Sequence, residues 1–173
     1  MRKTRTWAAG TLLTLAALTT TTPAGAIEFP DKNTAFQLKA YNGTCAQNLY
    51  SADFKHTAIV LRACDKTIAA QKWHYYPSTG QLENWNDSLC VEAPKQRQNS
   101  AIQGGPLLAT TCGDNPRQKW AVDKTTRIKP KGDATLCWTA DKSTRNYLRT
   151  PYVYLGPCTS KLKPQNWTIV KIM

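Results

Sequence analysis

The sequence predicts an all-β domain with three repeats, pseudo-threefold symmetry and about twelve short strands. Two markers recur with one period. The first is a Gln-x-Trp motif whose tryptophans are 47 residues apart: Gln71-Lys72-Trp73, Gln118-Lys119-Trp120 and Gln165-Asn166-Trp167. The second is a pair of cysteines ahead of each motif. Because self-similarity at a fixed period is the signature of a repeat architecture, each third of the domain is expected to fold in the same way.

Residues 1–26 have the pattern of a secretory signal peptide. Three of the first five residues are basic, the stretch from Trp7 to Leu18 is almost wholly apolar, and Ala24-Gly25-Ala26 is a small-residue cleavage site. The apolar run is about 12 residues long, whereas a membrane-spanning helix needs roughly 20. The sequence therefore predicts a secreted, extracellular protein with no transmembrane segment after signal cleavage.

The mature chain, residues 27–173, has the length of one domain, with repeats at about 34–76, 77–123 and 124–173. It has 20 Lys+Arg against 11 Asp+Glu, a net charge of +9. This balance favours contact with anionic polymers, and for an exported protein these are sulfated glycans, acidic wall polymers or lipid headgroups. The alternative is a solvated basic face without a partner. No nucleic-acid-binding module is recognised, so a nucleic-acid partner is not expected.

Basic residues are locally enriched in the third repeat. The run comprises Lys124, Arg127, Lys129 and Lys131, with two further lysines at 161 and 163. Other basic residues are spread through the chain.

Strands are expected on both sides of each cysteine pair. Downstream of each Gln-x-Trp, side chains alternate with period two, as in Gln71, Trp73 and Tyr75, which is a strand signal. Turn-rich pieces such as Pro77-Ser78-Thr79-Gly80 follow and indicate short hairpins. Further strands precede the second cysteines, at 58–61, 106–109 and 152–155. No amphipathic helical pattern is present after the signal peptide.

Six cysteines alone permit 15 pairings. A repeated structure selects one of them, because the same loop should close in every copy: Cys45–Cys64, Cys90–Cys112 and Cys137–Cys158. Each bridge closes a loop of about 20 residues, which contributes roughly 3 kcal/mol in the chain-entropy model. No Cys-x-x-Cys spacing occurs and the two histidines both lie in the first repeat, so neither a metal site nor a cofactor is expected.

The motif residues are expected to be structural. One tryptophan per repeat can converge on the pseudo-threefold axis and bury about 150–250 Å². A glutamine two residues earlier offers an amide that can satisfy backbone groups of a loop. The predicted structural core therefore includes Trp73, Trp120, Trp167, Gln71, Gln118 and Gln165.

The threefold Gln-x-Trp with a cysteine pair in each repeat resembles the ricin-type β-trefoil lectin family over about residues 34–173. The resemblance implies a β-trefoil and non-catalytic carbohydrate binding. In that family a galactose pocket has an acid two residues after the first cysteine, an aromatic ring two residues before the second, and an asparagine just ahead of Gln-x-Trp. The carboxylate accepts hydrogen bonds from vicinal hydroxyls, and the ring covers the apolar face of the sugar.

These pocket positions are mostly changed in this chain. They are occupied by Gln47, Arg62 and Ala70 in the first repeat, Glu92, Thr110 and Arg117 in the second, and Thr139, Gly156 and Pro164 in the third. Glu92 alone keeps the family's chemistry and is a candidate carbohydrate contact, as is Gln47 at the equivalent place. Alternatively, Glu92 pairs with Lys95 or Arg97.

The third repeat offers other candidate contacts, namely Tyr152, Tyr154 and Asn146. If Val153 and Leu155 face inward, both tyrosines project outward, where a ring can stack on a ligand. The alternative is a pair of half-exposed strand tyrosines without a ligand. Trp138 follows Cys137 and is expected in the core, whereas Trp85 lies on a turn and its burial is left open.

An enzyme is not expected. All six cysteines are assigned to bridges, no Gly-x-Ser-x-Gly motif is present, and no acid recurs in a repeat-consistent position that would nominate a glycosidase pair. The leading hypothesis is a secreted, non-catalytic, lectin-like carbohydrate-binding module that recognises cell-surface or cell-wall glycans, anionic ones included. The alternative is a targeting or interaction subunit with a protein partner in a secreted toxin assembly, resembling the trefoil components of cytolethal distending toxin.

Overall fold

The computed structural model describes residues 28–51, 56–95, 106–140, 151–159 and 163–172. The predicted signal peptide and Asn146 lie outside these ranges. The described strands are β1 Phe36–Ala40, β2 Thr44–Ser51, β3 His56–Ala63, β4 Trp73–Tyr76, β5 Gln81–Asn84, β6 Leu89–Glu92, β7 Leu108–Thr111, β8 Trp120–Val122, β9 Ile128–Pro130, β10 Leu136–Ala140, β11 Val153–Pro157 and β12 Trp167–Lys171. The prediction of an all-β domain with about twelve short strands is confirmed, while the predicted repeat boundaries stay predictions.

Short 3₁₀ turns precede each Gln-x-Trp tryptophan, a feature that the sequence did not predict. They are η1 Ala69–Gln71, η2 Pro116–Gln118 and η3 Lys163–Gln165. Each motif glutamine therefore ends a tight turn, and the strand begins only at the tryptophan. In the part of the chain that the structure describes, no helix has the length and apolar character needed to cross a membrane.

The strands form a largely closed arrangement. Eight of them pair in the order β12-β1-β2-β3-β7-β6-β5-β4, and an additional β1–β4 pairing closes this sheet. The strands β10 and β11 form one further hairpin, and β8 and β9 form another. Since the first and last strands of the domain pair with each other, few strand edges are left exposed in these ranges.

The strands that precede the second cysteines join the three repeats to one another. The Ile59 backbone N–H donates to the Leu107 carbonyl at 2.9 Å, and the Leu107 N–H donates to the Val153 carbonyl at 2.8 Å. A third bond runs from the Leu61 N–H to the Pro151 carbonyl at 2.9 Å. The repeats are thus connected by backbone hydrogen bonds as well as by side-chain packing.

Four indoles occupy the core. Trp73, Trp120 and Trp167 are buried, one from each repeat, and Trp138 is buried with them. The Trp138 ring makes T-shaped contacts with Trp120, at 5.2 Å between ring centroids, and with Trp167, at 5.8 Å. Edge-to-face pairs of this kind stabilise a core beyond the apolar area that they bury.

Each motif indole is also held by one hydrogen bond at an equivalent place. The ring N–H donates to the carbonyl of the residue that follows the first cysteine of the same repeat. The acceptors are Ala46 at 3.2 Å, Val91 at 2.8 Å and Trp138 at 3.1 Å. The polar atom of the ring is therefore satisfied inside the core, as a buried indole requires.

The predicted disulfide pairing is confirmed. The bridges are Cys45–Cys64, Cys90–Cys112 and Cys137–Cys158. Each bridge joins the first strand of a strand pair to the residue that follows the second strand, and the pairs are β2–β3, β6–β7 and β10–β11. Every repeat thus has its own covalent link between the strand that begins the hairpin and the loop that leaves it.

Gly80 shows how the turn of one hairpin positions a strand that is distant in the sequence. Its φ of +79° is in the left-handed region, where a side chain is disfavoured. This conformation ends the β4–β5 turn, with the Gly80 N–H donating to the Tyr76 carbonyl at 2.7 Å. The Gly80 carbonyl in turn accepts from the Trp120 N–H at 2.7 Å. The turn of one hairpin therefore fixes the strand that carries the second core tryptophan.

Replacing Trp120 by alanine is expected to reduce the free energy of unfolding by about 3–5 kcal/mol, because it leaves a large cavity in the core. Chemical denaturation of the oxidised protein measures this loss. The control is Trp85→Ala, which removes an exposed tryptophan and should cost less than about 1 kcal/mol. Equal stability of Trp120→Ala and the wild type would contradict the core role of Trp120.

Candidate functional site

The motif glutamines bind the loop around each second cysteine in the same way in all three repeats. Each amide oxygen accepts from the backbone N–H that follows this cysteine, namely from Asp65 at 2.9 Å, Gly113 at 3.0 Å and Thr159 at 2.9 Å. Each amide nitrogen donates to the carbonyl that precedes it, namely to Ala63 at 2.8 Å, Thr111 at 3.0 Å and Pro157 at 2.7 Å. The glutamine side chain thus binds the backbone on both sides of the second cysteine.

The same amide nitrogens make a further contact to the pocket position that follows the first cysteine by two residues. The acceptors are Gln47 Oε1 at 3.0 Å, Glu92 Oε2 at 3.0 Å and Thr139 Oγ1 at 3.1 Å. The three candidate positions are therefore brought together with the motif glutamine in every repeat. Gln47, Glu92 and Thr139 are thus part of the hydrogen-bond network that holds the loop around each second cysteine.

Glu92 has the densest set of contacts. Its Oε2 accepts from Thr110 Oγ1 at 2.8 Å, from Gln118 Nε2 at 3.0 Å and from Asn115 Nδ2 at 3.1 Å. Its Oε1 forms an ion pair with Arg117 at 2.5 Å. The residue is only 9% exposed. Both carboxylate oxygens are therefore engaged by groups of the protein itself.

Arg117 is the ionic partner of Glu92, in place of the Lys95 or Arg97 that the sequence suggested. Lys95 has no ion pair among the described residues, and Arg97 lies outside them. Arg117 also donates from Nη1 to the Ala93 carbonyl at 3.0 Å. Sequence proximity pointed to the wrong cation, because η2 folds back onto the end of β6. The available signal was that Arg117 occupies the position where the family has its asparagine.

The network keeps Glu92 ionised. Burial raises the pKa of its carboxyl, but hydrogen bonds from Thr110 and Gln118, the charge of Arg117 and the hydrogen bond from Asn115 outweigh that effect. The pKa is therefore held below its usual range. A fixed carboxylate of this kind is an oriented acceptor, although its capacity for a ligand is largely used within the protein.

The third repeat places a ring where the family's aromatic residue is missing. Tyr154 pairs directly with Thr139 across β10 and β11. A Cβ added at Gly156, the family's aromatic position, would lie 3.2 Å from Cε2 of Tyr154 and 3.0 Å from Oγ1 of Thr139. The half-buried Tyr154 ring thus lies against the space that a side chain at position 156 would use, beside the pocket residue Thr139.

The expectation that Tyr152 projects outward is wrong. Val153 and Leu155 face inward as expected, and Tyr154 is half-buried. Tyr152 is only 3% exposed, however, and its backbone forms an isolated bridge to Val60 of the first repeat. The strand is enclosed on both faces at this point because the third repeat packs against the first. Strand alternation alone does not show such enclosure.

The first repeat has amides at the equivalent place. Gln71 Oε1 accepts from Gln37 Nε2 at 3.0 Å, while Gln71 Nε2 donates to Gln47 Oε1. Gln47 is half-buried, and neither an acid nor a ring occupies the other pocket positions of this repeat. The pocket positions of the first repeat therefore offer a ligand the Gln47 amide and the Arg62 guanidinium.

A cleft of about 330 Å³ lies between the second and third repeats, next to the Glu92–Arg117 pair. Apolar side chains dominate its lining, with two charged residues among them. The lining residues are Ala93, Pro94, Pro116, Arg117, Pro130, Asp133, Leu136 and Leu155. A cleft of this size and character can accept a small ligand.

The basic run of the third repeat is less free than the sequence suggested. Asp123 Oδ2 pairs with Lys129 Nζ at 2.8 Å and with Arg127 Nη2 at 3.1 Å. Burial raises the pKa of Asp123, but hydrogen bonds led by those from Lys129 and Thr125 outweigh it and lower the pKa. Two of the four cations thus share one carboxylate of the protein, and Lys124 and Lys131 stay exposed.

The closed strand arrangement, the three core indoles and the repeated glutamine network define a β-trefoil of the lectin type. The family model described as the ricin-type beta-trefoil lectin domain matches residues 78–171, more than half of the chain, and the chain belongs to this family. No curated protein sequence matches it.

Solved structures share the fold at low sequence identity. The solution structure of the mdaA-1 domain has a TM-score of 0.65 and 20% identity, over 84% of this chain and 93% of that one. The C-terminal domain of an earthworm lectin, a mutant in complex with 6'-sialyllactose, has a TM-score of 0.62 and 14% identity, over 80% and 99%. The designed threefold-symmetric protein ThreeFoil has a TM-score of 0.62 and 12% identity, also over 80% and 99%.

The substitution Glu92→Gln is expected to lower the free energy of unfolding by about 1–3 kcal/mol near neutral pH, because it leaves Arg117 and several buried donors without their anion. Since the folded pKa of Glu92 is lowered, its stabilising effect is present above the usual carboxyl pKa and is lost as the pH falls through the folded value. Denaturation curves of both proteins from about pH 7 to pH 2 should therefore converge at the acidic end.

Lys95→Ala is the control for this comparison, because Lys95 is exposed and has no ion pair in the described ranges. It should match the wild type at every pH. A Glu92→Gln deficit that is independent of pH would show that the ionised carboxylate does not contribute to stability.

Proposed function

We propose that this chain is a secreted, non-catalytic carbohydrate-binding module that recognises cell-surface or cell-wall glycans. Its membership of the ricin-type lectin family supports carbohydrate binding. The similar earthworm lectin domain was solved with 6'-sialyllactose, which shows that the fold can hold a saccharide. The observation that carries the proposal for this chain is the Tyr154 ring that lies against Gly156 beside Thr139.

The third repeat contains the proposed principal pocket. Tyr154 offers a ring that can cover the apolar face of a pyranose. It would replace the aromatic side chain that the family has at the position of Gly156. Thr139 Oγ1 donates to the Cys137 carbonyl at 3.1 Å and accepts from Gln165, so it is fixed beside that ring. Asn146 is proposed as a polar contact from the segment that follows β10. A shallow pocket of this kind binds weakly, and several sites engaged together raise the avidity.

The second repeat is proposed to favour acidic glycans. Arg117 lines the cleft between the second and third repeats while Glu92 orients its guanidinium. A guanidinium can bind a sugar carboxylate or sulfate through two parallel hydrogen bonds. Gln47 would contribute an amide contact in the first repeat. Glu92 itself acts mainly through Arg117, since its oxygens already have partners in the protein.

A targeting or interaction subunit of a secreted toxin assembly is the second candidate function. The observation that favours it is that four side chains of this protein already contact the Glu92 carboxylate, which stands at the acid position of the family's pocket. In that case the surface around the pocket would contact a protein partner. Glycan binding by the purified domain distinguishes the two candidates.

The test is a glycan array probed with the mature, oxidised protein at low and high salt. Tyr154→Ala is expected to weaken binding at least tenfold, equivalent to about 1.4 kcal/mol, without changing the melting temperature. Tyr154→Phe keeps the ring and should bind like the wild type. Tyr41→Ala, which removes an exposed tyrosine of the first repeat, is the control and should also bind normally.

The salt dependence of binding distinguishes recognition in a pocket from general electrostatic attraction. Binding of neutral glycans should persist at high salt, whereas binding of acidic glycans through Arg117 should weaken, because added ions screen exposed charges. If the wild type retains no glycan at either salt concentration, the carbohydrate-binding proposal is wrong and the interaction subunit is favoured.

A further inference from the structure

We infer that the junction of the first and second repeats forms a separate binding surface for neutral saccharides, in which Trp85 is the stacking ring and Asp87 is the hydroxyl acceptor. The inference rests on the proposed carbohydrate binding, but it uses none of the family's pocket positions. Trp85 and Asp87 lie on the turn between β5 and β6, and Asn48 of β2 connects this turn to the first repeat.

Trp85 is exposed, although neighbouring residues hold both its backbone and its ring. It is 55% exposed, in contrast to the four buried core tryptophans. The backbone N–H of Trp85 donates to the Lys72 carbonyl at 3.0 Å. The side chain of the buried Asn84 accepts from the Asn86 backbone N–H at 3.1 Å. The His74 ring makes a T-shaped contact with the indole at 4.5 Å between centroids. A large ring is therefore presented to solvent in a fixed position, which limits the entropy lost on binding.

The fold does not require a tryptophan at this position. Trp85 stands two residues before Asp87, whose Oδ1 accepts from the Leu89 N–H at 3.3 Å. In the third repeat, Asp133 makes the same turn with the Thr135 N–H at 2.9 Å, and the residue two positions earlier is Lys131.

The first repeat also has no tryptophan at the equivalent position. Ala40 pairs with Trp167 as Asn84 pairs with Trp73 and Pro130 with Trp120, so the residue equivalent to Trp85 is the next one, Tyr41, which is 40% exposed. The three equivalent positions thus hold an exposed tyrosine, an exposed tryptophan and an exposed lysine. An exposed indole at the second of them contributes little to packing, so a role in binding is the more economical explanation.

Asn48 is a second addition that the fold does not require. It follows the pocket position Gln47, and the equivalent residues of the other repeats are the buried alanines Ala93 and Ala140. Asn48 is only 5% exposed, and its Oδ1 has no hydrogen-bond partner among the described residues. A buried acceptor without a partner destabilises the fold.

The contact that offsets this cost is the one to Asp87. Asn48 Nδ2 donates to Asp87 Oδ2 at 2.6 Å. Together with the Leu89 N–H on Oδ1, this bond fixes both oxygens of an otherwise exposed carboxylate. Each carboxylate oxygen has a further lone pair for a ligand. Asn48 is therefore a positioning residue that holds the acceptor two positions from the exposed ring.

An exposed ring beside a fixed carboxylate matches the chemistry of a neutral sugar. The ring faces the C–H groups of a pyranose, and the carboxylate accepts hydrogen bonds from vicinal hydroxyls. The charge of Asp87 repels acidic sugars, which separates this surface from the cleft lined by Arg117. Tyr50 is 65% exposed and lies on the same face of β2 as Asn48, about 7 Å further along the strand. It offers a second ring to an oligosaccharide.

The test uses an array of neutral oligosaccharides with β-galactoside, α-mannoside and N-acetylglucosamine termini, printed beside acidic glycans. Trp85→Lys introduces the residue of the equivalent position in the third repeat, so the turn should fold normally. It is expected to weaken neutral glycan binding at least tenfold, while acidic glycan binding does not fall and the melting temperature stays unchanged.

Asn48→Ala introduces the residue of both other repeats and tests the positioning role. Neutral glycan binding should fall at least threefold while the melting temperature stays the same or rises. A purely structural Asn48 would instead lower the melting temperature and leave binding unchanged, which would contradict the inference.

The two proposals fail in different ways. If Trp85→Lys and Asn48→Ala bind neutral glycans like the wild type while Tyr154→Ala loses them, the Trp85 surface is wrong and the third-repeat pocket stands. If the wild type binds no glycan, both proposals are wrong. Acrylamide quenching of tryptophan fluorescence in Tyr154→Ala gives an independent readout, because a neutral saccharide bound at Trp85 should reduce the quenching.

Discussion

The structure depends on the amide of the Gln-x-Trp glutamine. In every repeat this side chain binds the backbone on both sides of the second cysteine, and two residues later the tryptophan enters the core. Without these hydrogen bonds the loop that follows each disulfide would leave buried polar groups unsatisfied, which costs more than a net hydrogen bond gains. The same amide also holds the pocket position after the first cysteine, so core and candidate site share one network.

That sharing explains why the pockets differ between repeats while the fold does not. The glutamine needs only an acceptor at the pocket position, and an amide, a carboxylate or a hydroxyl each provides one. Ligand chemistry can therefore change without loss of the scaffold. The exposed Trp85 and the buried Asn48 show the same freedom. The equivalents of Trp85 are Tyr41 and Lys131, and those of Asn48 are Ala93 and Ala140.

The sequence predicted the features that repeat. The tryptophan spacing and the cysteine phase were enough for the strand-rich fold, the disulfide pairing and the family, because each was supported three times. It missed features that depend on one contact distant in the chain. Arg117 reaches Glu92 only because η2 folds back, and Tyr152 is covered by the first repeat. Asp123 pairs with Arg127 and Lys129, two cations of the basic run. The sequence period does not predict such contacts, because it shows only what equivalent positions of the repeats have in common.

The pairing of β1 with β12 has a further consequence. Phe36 lies opposite Lys171, and the Ile172 N–H donates to the Ala35 carbonyl at 2.9 Å, so the two ends of the domain leave it side by side. A circular permutation that joined these ends and opened the chain between two other repeats would keep the same hydrogen bonds. Any unit fused at either end would emerge from one edge of the trefoil and leave the opposite surfaces accessible.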